Sequence, residues 1–145
     1  MNRDENKITE TVKSNKGFYI GDICYALSDS VYHGIWGGAD YSDGIHEDPE
    51  TGFSFAVAST AYGDGTYEDD YGRTYGVDAG VLGIVPGELT EKGTNGGHYF
   101  PGAGEATLTA CDGVFDITLP SGETIHINTE GDEDYEDEDE DEEWY

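Results

Sequence analysis

Apolar side chains fall on alternate positions after Gly52: Phe53, Phe55 and Val57 share one face, with Ser54, Ala56 and Ala58 on the other. A period of two predicts a β-strand. The run Gly17-Phe-Tyr-Ile-Gly-Asp-Ile-Cys-Tyr-Ala26 is rich in aromatic and branched residues and predicts another. Val81-Leu-Gly-Ile-Val85 is apolar apart from its glycine and stops at Pro86-Gly87, the pattern of a buried strand. Two hairpins follow from turn chemistry, residues 66–69 with 73–77 about Asp70-Tyr71-Gly72, and residues 114–119 with 123–128 about Pro120-Ser121-Gly122. Residues 106–111 add a further strand. One helix is predicted, with Ser28 and Asp29 as N-cap residues, Val31, Tyr32, Ile35 and Trp36 at helical spacing, and Gly37-Gly38 as its stop. Residues 37–52 and 93–104 read as Gly-rich loops.

Short strands punctuated by Gly and Pro turns predict an all-β, or β-rich α+β, fold: a small sandwich or partly open barrel with one short helix. The chain divides into three. Residues 1–16 are polar, without an apparent period, and are expected to form a mobile arm. Residues 17–128 form the β-rich domain. Residues 129–145 are expected to be a disordered acidic tail, because neighbouring carboxylates on an extended chain lie well within a Debye length of about 8 Å.

Charge changes the picture more than composition does. The chain carries 33 Asp and Glu against 6 Lys and Arg, a net −27 in 145 residues. Twelve of the carboxylates lie in residues 130–145, so residues 1–129 hold the other 21 against all 6 basic residues, a balance of −15. Beyond Gly17 the only basic residues are Arg73 and Lys92. Phosphate-binding surfaces need clustered Lys and Arg, so direct nucleic-acid binding and anionic lipid binding are both excluded. The partners left open are cationic, above all a basic protein, including one that itself binds nucleic acid. The first sixteen residues contain no apolar leader, and no stretch approaches the roughly 18 apolar residues of a membrane span. The expectation is a bacterial cytoplasm with Cys24 and Cys111 as buried, reduced thiols, since no CxxC spacing suggests zinc.

The C-terminus ends on Glu142-Glu143-Trp144-Tyr145, an acidic lead followed by an aromatic pair. It resembles the acidic tails with terminal aromatics on phage and bacterial single-stranded-DNA-binding proteins. The resemblance implies partner recruitment through Glu142, Glu143, Trp144 and Tyr145, but not DNA binding, because the body lacks the basic aromatic groove that would require. A second resemblance rests on Gly21-Asp-Ile-Cys-Tyr25, Gly63-Asp-Gly-Thr-Tyr67 and Tyr75-Gly-Val-Asp-Ala-Gly-Val-Leu-Gly-Ile-Val-Pro86. These segments are similar to those of a group of small uncharacterised bacterial and phage proteins, to which no activity attaches.

Asp22, Asp64 and Asp78 each stand beside a turn in those segments. Such aspartates ordinarily cap turns by accepting from nearby backbone N–H groups. The sharper alternative is that all three converge on one site for a small ligand or a hard cation, calcium or magnesium, in a binding domain or metal-dependent enzyme. The acidic loops at Asp40, Asp43, Glu47 and Asp48 and at Glu68, Asp69 and Asp70 do not fit the spacing of a helix–loop–helix calcium site. No nucleophile–base pair can be recognised among Cys24, Cys111, His33, His46, His98 and His126. Tyr41, Tyr62, Tyr67 and Tyr71 near the acidic loops suggest an aromatic, acidic contact surface. The leading expectation is a non-enzymatic acidic protein that binds a basic partner, as a phage-encoded inhibitor or DNA mimic would.

Overall fold

The computed structural model describes residues 7–61, 65–91, 96–111 and 113–129. Eleven strands run in chain order: β1 (Lys7–Ser14), β2 (Gly17–Gly21), β3 (Gly44–Glu47), β4 (Ser54–Ser59), β5 (Gly65–Glu68), β6 (Thr74–Val77), β7 (Val81–Pro86), β8 (His98–Pro101), β9 (Gly104–Cys111), β10 (Val114–Thr118) and β11 (Thr124–Asn128). They form a four-stranded sheet in the order β1-β9-β10-β11, a five-stranded sheet in the order β3-β4-β7-β2-β8, and the β5-β6 hairpin. All strand pairs are antiparallel. The fold is β-rich with one short helix, as expected, and the sheets do not close into a barrel.

The five-stranded sheet is buried on both faces. Phe18, Ile20, Ala56, Leu82 and Ile84 point toward Val12, Leu108, Phe115, Ile117, Ile125 and Ile127 of the four-stranded sheet and make the larger core. Tyr19, Phe55, Val57, Val81 and Val85 point the other way, beneath Ile23, Leu27, Val31, Trp36 and Leu89. The alternation on β2 and β4 sorts their side chains between these two cores. It also explains why β7 carries no outward polar residue: all six of its positions are buried. Gly83 is required there, since a Cβ would lie 2.1 Å from the Ala56 carbonyl oxygen.

The second face is covered by a helical turn at Ile23–Tyr25, the seven-residue π-wound helix Ser30–Trp36, and a tight 3-10 turn over Gly37–Ala39. The predicted helix is thus present, although its winding continues through the glycines expected to stop it. Asp40 and Tyr41 then adopt left-handed backbone, φ 60° and 56°, to turn the chain toward β3. No helix among the described residues is long and apolar enough to cross a membrane.

Three segments differ from expectation. Residues 7–14, assigned to a mobile arm, are strand β1 and pair with β9 over all eight positions. β1 escapes recognition because its inward row mixes Ile8 and fully buried Val12 with Glu10 and Ser14, so its period of two is masked. The two expected loops contain β3 and β8, which border the five-stranded sheet. All three strands lie at sheet edges, where one neighbour suffices and apolar content can be low. Lys7 and Lys13 face outward on β1, a charged edge of the kind that discourages pairing with another chain.

The β5-β6 hairpin ties the two sheets together. Asp69 bridges to Ile127 on β11, the Asp70 N–H donates to the His126 carbonyl (3.1 Å), and the Gly76 N–H donates to the Gly96 carbonyl (2.8 Å). Tyr75 and Val77 project from β6 into the larger core.

If β1 is integral to the domain, Val12→Asn should destabilise it by about 3–5 kcal/mol, combining lost apolar burial with an unsatisfied buried amide. Lys13→Gln, on the outward row, should stay within about 0.5 kcal/mol. Urea unfolding of both variants decides the point, and equal midpoints would return residues 7–14 to the status of an arm.

Candidate functional site

Strand β2 ends at Gly21, and the next residue, Asp22, is fully buried. Its Oδ1 accepts from the Cys24 N–H at 3.0 Å. Its Oδ2 accepts from the Asp78 N–H at 2.7 Å and the Ala79 N–H at 2.6 Å. The Tyr19 hydroxyl donates to the Asp22 carbonyl at 2.9 Å, and the Tyr25 hydroxyl donates to Asp78 Oδ2. Two segments more than fifty residues apart are thereby joined by a carboxylate on one side and a phenol on the other. The resulting junction locks the exit of β2 to the β6–β7 connection.

Glycines close this junction. Gly96, at φ 69°, lies so near the Tyr25 ring that a Cβ would sit 2.3 Å from Cδ2, and a Cβ on Gly97 would sit 2.2 Å from the Ile20 carbonyl oxygen. The Tyr25 phenol is pushed up to about 12, first by its hydrogen bond to Asp78 and then by burial. The Tyr19 phenol is raised as well, by burial first and by the Asp22 charge second. Both hydroxyls therefore stay protonated and act as donors.

Asp22 and Asp78 are thus brought together, but through the side chain of one and the backbone of the other. Asp64 lies outside the described residues, as do Glu142, Glu143, Trp144 and Tyr145 of the tail. The Asp22 oxygens face three N–H donors, an environment built for the carboxylate itself. Among the described residues no group of three His, Cys, Asp or Glu side chains is placed to hold a metal ion. What this arrangement does chemically is fix two turns.

A second constellation surrounds Arg73. Its Nη1 donates to Asp69 Oδ2 at 2.9 Å and its Nη2 to Glu123 Oε2 at 2.8 Å. The guanidinium lies 4.9 Å from the Tyr71 ring centroid and 5.0 Å from that of Phe100. Asp69 is buried and also accepts from the Tyr71 and Arg73 N–H groups and, at 2.7 Å, from the Tyr75 hydroxyl. Burial works to raise the Asp69 pKa, but the bonds from Tyr75 and Arg73 outweigh it and hold the carboxyl below the usual range. Sequence reasoning grouped Asp69 with its neighbours as an acidic loop. The signal it passed over was the isolated arginine four residues later in the same hairpin.

Other acidic positions divide the same way. Asp43 accepts from the Ser59 N–H and hydroxyl, and buried Asp48 accepts from the Glu50 N–H and the Thr51 hydroxyl. Asp40, Glu47, Glu50, Glu68 and Glu91 stand exposed. Cys24 and Cys111 form no disulfide and are half-buried, where full burial was expected. His126 pairs with Asp116 across strands at 2.7 Å, while the His46 and His98 rings meet the carbonyls of Ser42 and Thr74. Tyr41 and Tyr71 are exposed as expected, while Tyr67 is only half-buried and Tyr62 lies outside the described residues. Comparison with protein-family models, with curated proteins and with solved structures returns no match.

Asp22→Ala, which strands three backbone N–H groups, is expected to cost at least about 3 kcal/mol. Asp78→Asn should instead leave the fold standing and lower the Tyr25 titration from about 12 toward the ordinary tyrosine value, readable by NMR of labelled tyrosine. An unchanged Tyr25 would break the assigned pairing. For Asp69, the native pKa lies below the unfolded one, so its stabilisation is present at neutral pH and is lost as pH falls through the native value. The stability gap between wild type and Asp69→Asn should therefore narrow below about pH 4.

Proposed function

We propose that this protein is a non-enzymatic interaction protein that binds the basic surface of a partner in a bacterial cytoplasm. A nucleic-acid-binding protein is the partner class that fits best, because its cationic groove is built for a dense anion. The protein would then act as an inhibitor or DNA mimic encoded by a phage. The observation that carries this reading is the treatment of positive charge. Sixteen carboxylates and a single basic side chain, Arg73, occur among the described residues beyond Lys16. That one arginine is held between two of the carboxylates.

A further twelve carboxylates lie in residues 130–145. A field of one sign accelerates encounter with an oppositely charged surface and disfavours anionic competitors. Such attraction fades as salt shortens the Debye length. Capture from bacterial lysate should therefore recover proteins of high isoelectric point, with nucleic-acid-binding proteins prominent. Recovery should collapse toward about 1 M salt, where the Debye length is about 3 Å. Retention of neutral or acidic partners that is indifferent to salt would refute the proposal.

A further inference from the structure

Between the helix Ser30–Trp36 and the turn formed by residues 48–51 runs a groove of about 450 Å³. Its lining combines apolar Val31 and Ile35 with acidic walls at Asp48, Glu50 and Glu91. Among the described residues that line it none is basic. We propose that this groove receives a lysine or arginine side chain from a basic segment of a partner protein. The assignment rests on the function proposed above and gives it a location on the domain.

The two kinds of lining match the two parts of such a side chain. A lysine or arginine has an aliphatic stem that gains from apolar contact and a charged head that must stay solvated or paired. Val31 and Ile35 offer the first, Glu50 and Glu91 the second. An anion would meet like charge in the lining, and a purely apolar ligand would strip water from the carboxylates without replacing it. The volume lies within the usual range for sites that take a compact ligand, about 300–1,000 Å³.

The acidic walls are held in place before any ligand arrives. Asp48 is buried, and its two oxygens serve the turn itself, at 3.1 Å from the Glu50 N–H and 3.1 Å from the Thr51 hydroxyl. This fixes the backbone that carries Glu50. The Glu91 N–H donates to the Ala26 carbonyl at 2.8 Å, which anchors the backbone that carries Glu91 to the helical cover. Both glutamates are exposed, and among the described residues neither forms an ion pair. Pre-set walls reduce the ordering cost of binding.

The molecule already binds one cation in this manner. Arg73 places its guanidinium between Asp69 and Glu123, carboxylates from separate elements, with apolar ring surface alongside. The groove repeats the scheme, with aliphatic residues in place of the rings and no basic side chain among the described residues that line it.

The test is an NMR titration of the labelled full-length chain with a hexa-arginine peptide near physiological salt. The amides of Gly34, Ile35 and Thr51 should shift and saturate. In the Glu50→Gln/Glu91→Gln variant, which keeps both backbone anchors, affinity read at those amides should fall at least about fivefold. A charge-matched variant away from the groove, Glu68→Gln/Glu105→Gln, should lose less than about twofold. Peptide binding without movement at the groove amides, or equal losses in the two variants, would overturn the groove while leaving the broader function intact. Absence of any peptide binding at low salt would overturn both.

Discussion

A sheet covered on both faces leaves a carboxylate near it two options: to find donors inside or to be displaced to the rim. The five-stranded sheet is in that position, with one core against the four-stranded sheet and another beneath the helical cover. Asp22 takes the first option. It stands at the end of β2 with no access to solvent, and three backbone N–H groups surround it. A carboxyl group buried without such partners would leave its oxygens unsatisfied, a penalty that takes a large share of a small domain's stability margin of about 5–15 kcal/mol. The turn at Asp78 and Ala79 is therefore bound to the end of β2. The placement of β7 follows, since it begins two residues after Ala79 and pairs with β2.

The same economy governs the other inward acids. Asp69 gathers an arginine, a phenol and two backbone donors, and in doing so draws the β5-β6 hairpin against β11. Glu88 accepts from the Ser14 hydroxyl at 2.7 Å and the Asn15 N–H at 2.8 Å, fastening the β1–β2 connection to the turn after β7. Asp22, Asp69 and Glu88 each close a junction between elements distant in sequence, whereas buried Asp48 closes only its own turn. Arg73 is taken up in this work, Lys13 and His126 meet Glu105 and Asp116 at the surface, and the exposed Asp40, Glu47, Glu50, Glu68 and Glu91 form no ion pair among the described residues. The strongly anionic exterior is what remains once the interior is satisfied.

Much of this was legible in advance, and the failures are as physical as the successes. β4 and β7 announced themselves because burial on one face imposes alternation and burial on both imposes an apolar run. The hairpins about Asp70-Tyr71-Gly72 and Pro120-Ser121-Gly122 were readable from turn chemistry alone. β1, β3 and β8 were not, because an edge strand is held by backbone bonds to one neighbour and its side chains need not be apolar. The turn role of Asp22 was the ordinary expectation for an aspartate beside a glycine. That its donors would include residues 78 and 79 was hidden, since a contact between positions more than fifty residues apart leaves no local period. Arg73 was hidden differently: a lone cation in an acidic chain reads as diluted charge until its two carboxylates are seen around it.

The split between inward and outward acids also bears on how so charged a chain keeps a fold while offering a surface to a partner. Self-repulsion acts mainly among exposed groups, where water and salt weaken it, whereas the junctions at Asp22 and Asp69 are shielded from both. Charge outside can therefore accumulate with little effect on the contacts that define the fold. The groove beside the helix Ser30–Trp36 lies where these two regimes meet, with walls set by internal hydrogen bonds and carboxylates facing outward. A diffuse field brings a cationic partner close but cannot choose how it sits. A feature with fixed walls and apolar lining residues can, because it ties the position of one side chain to the backbone of the domain.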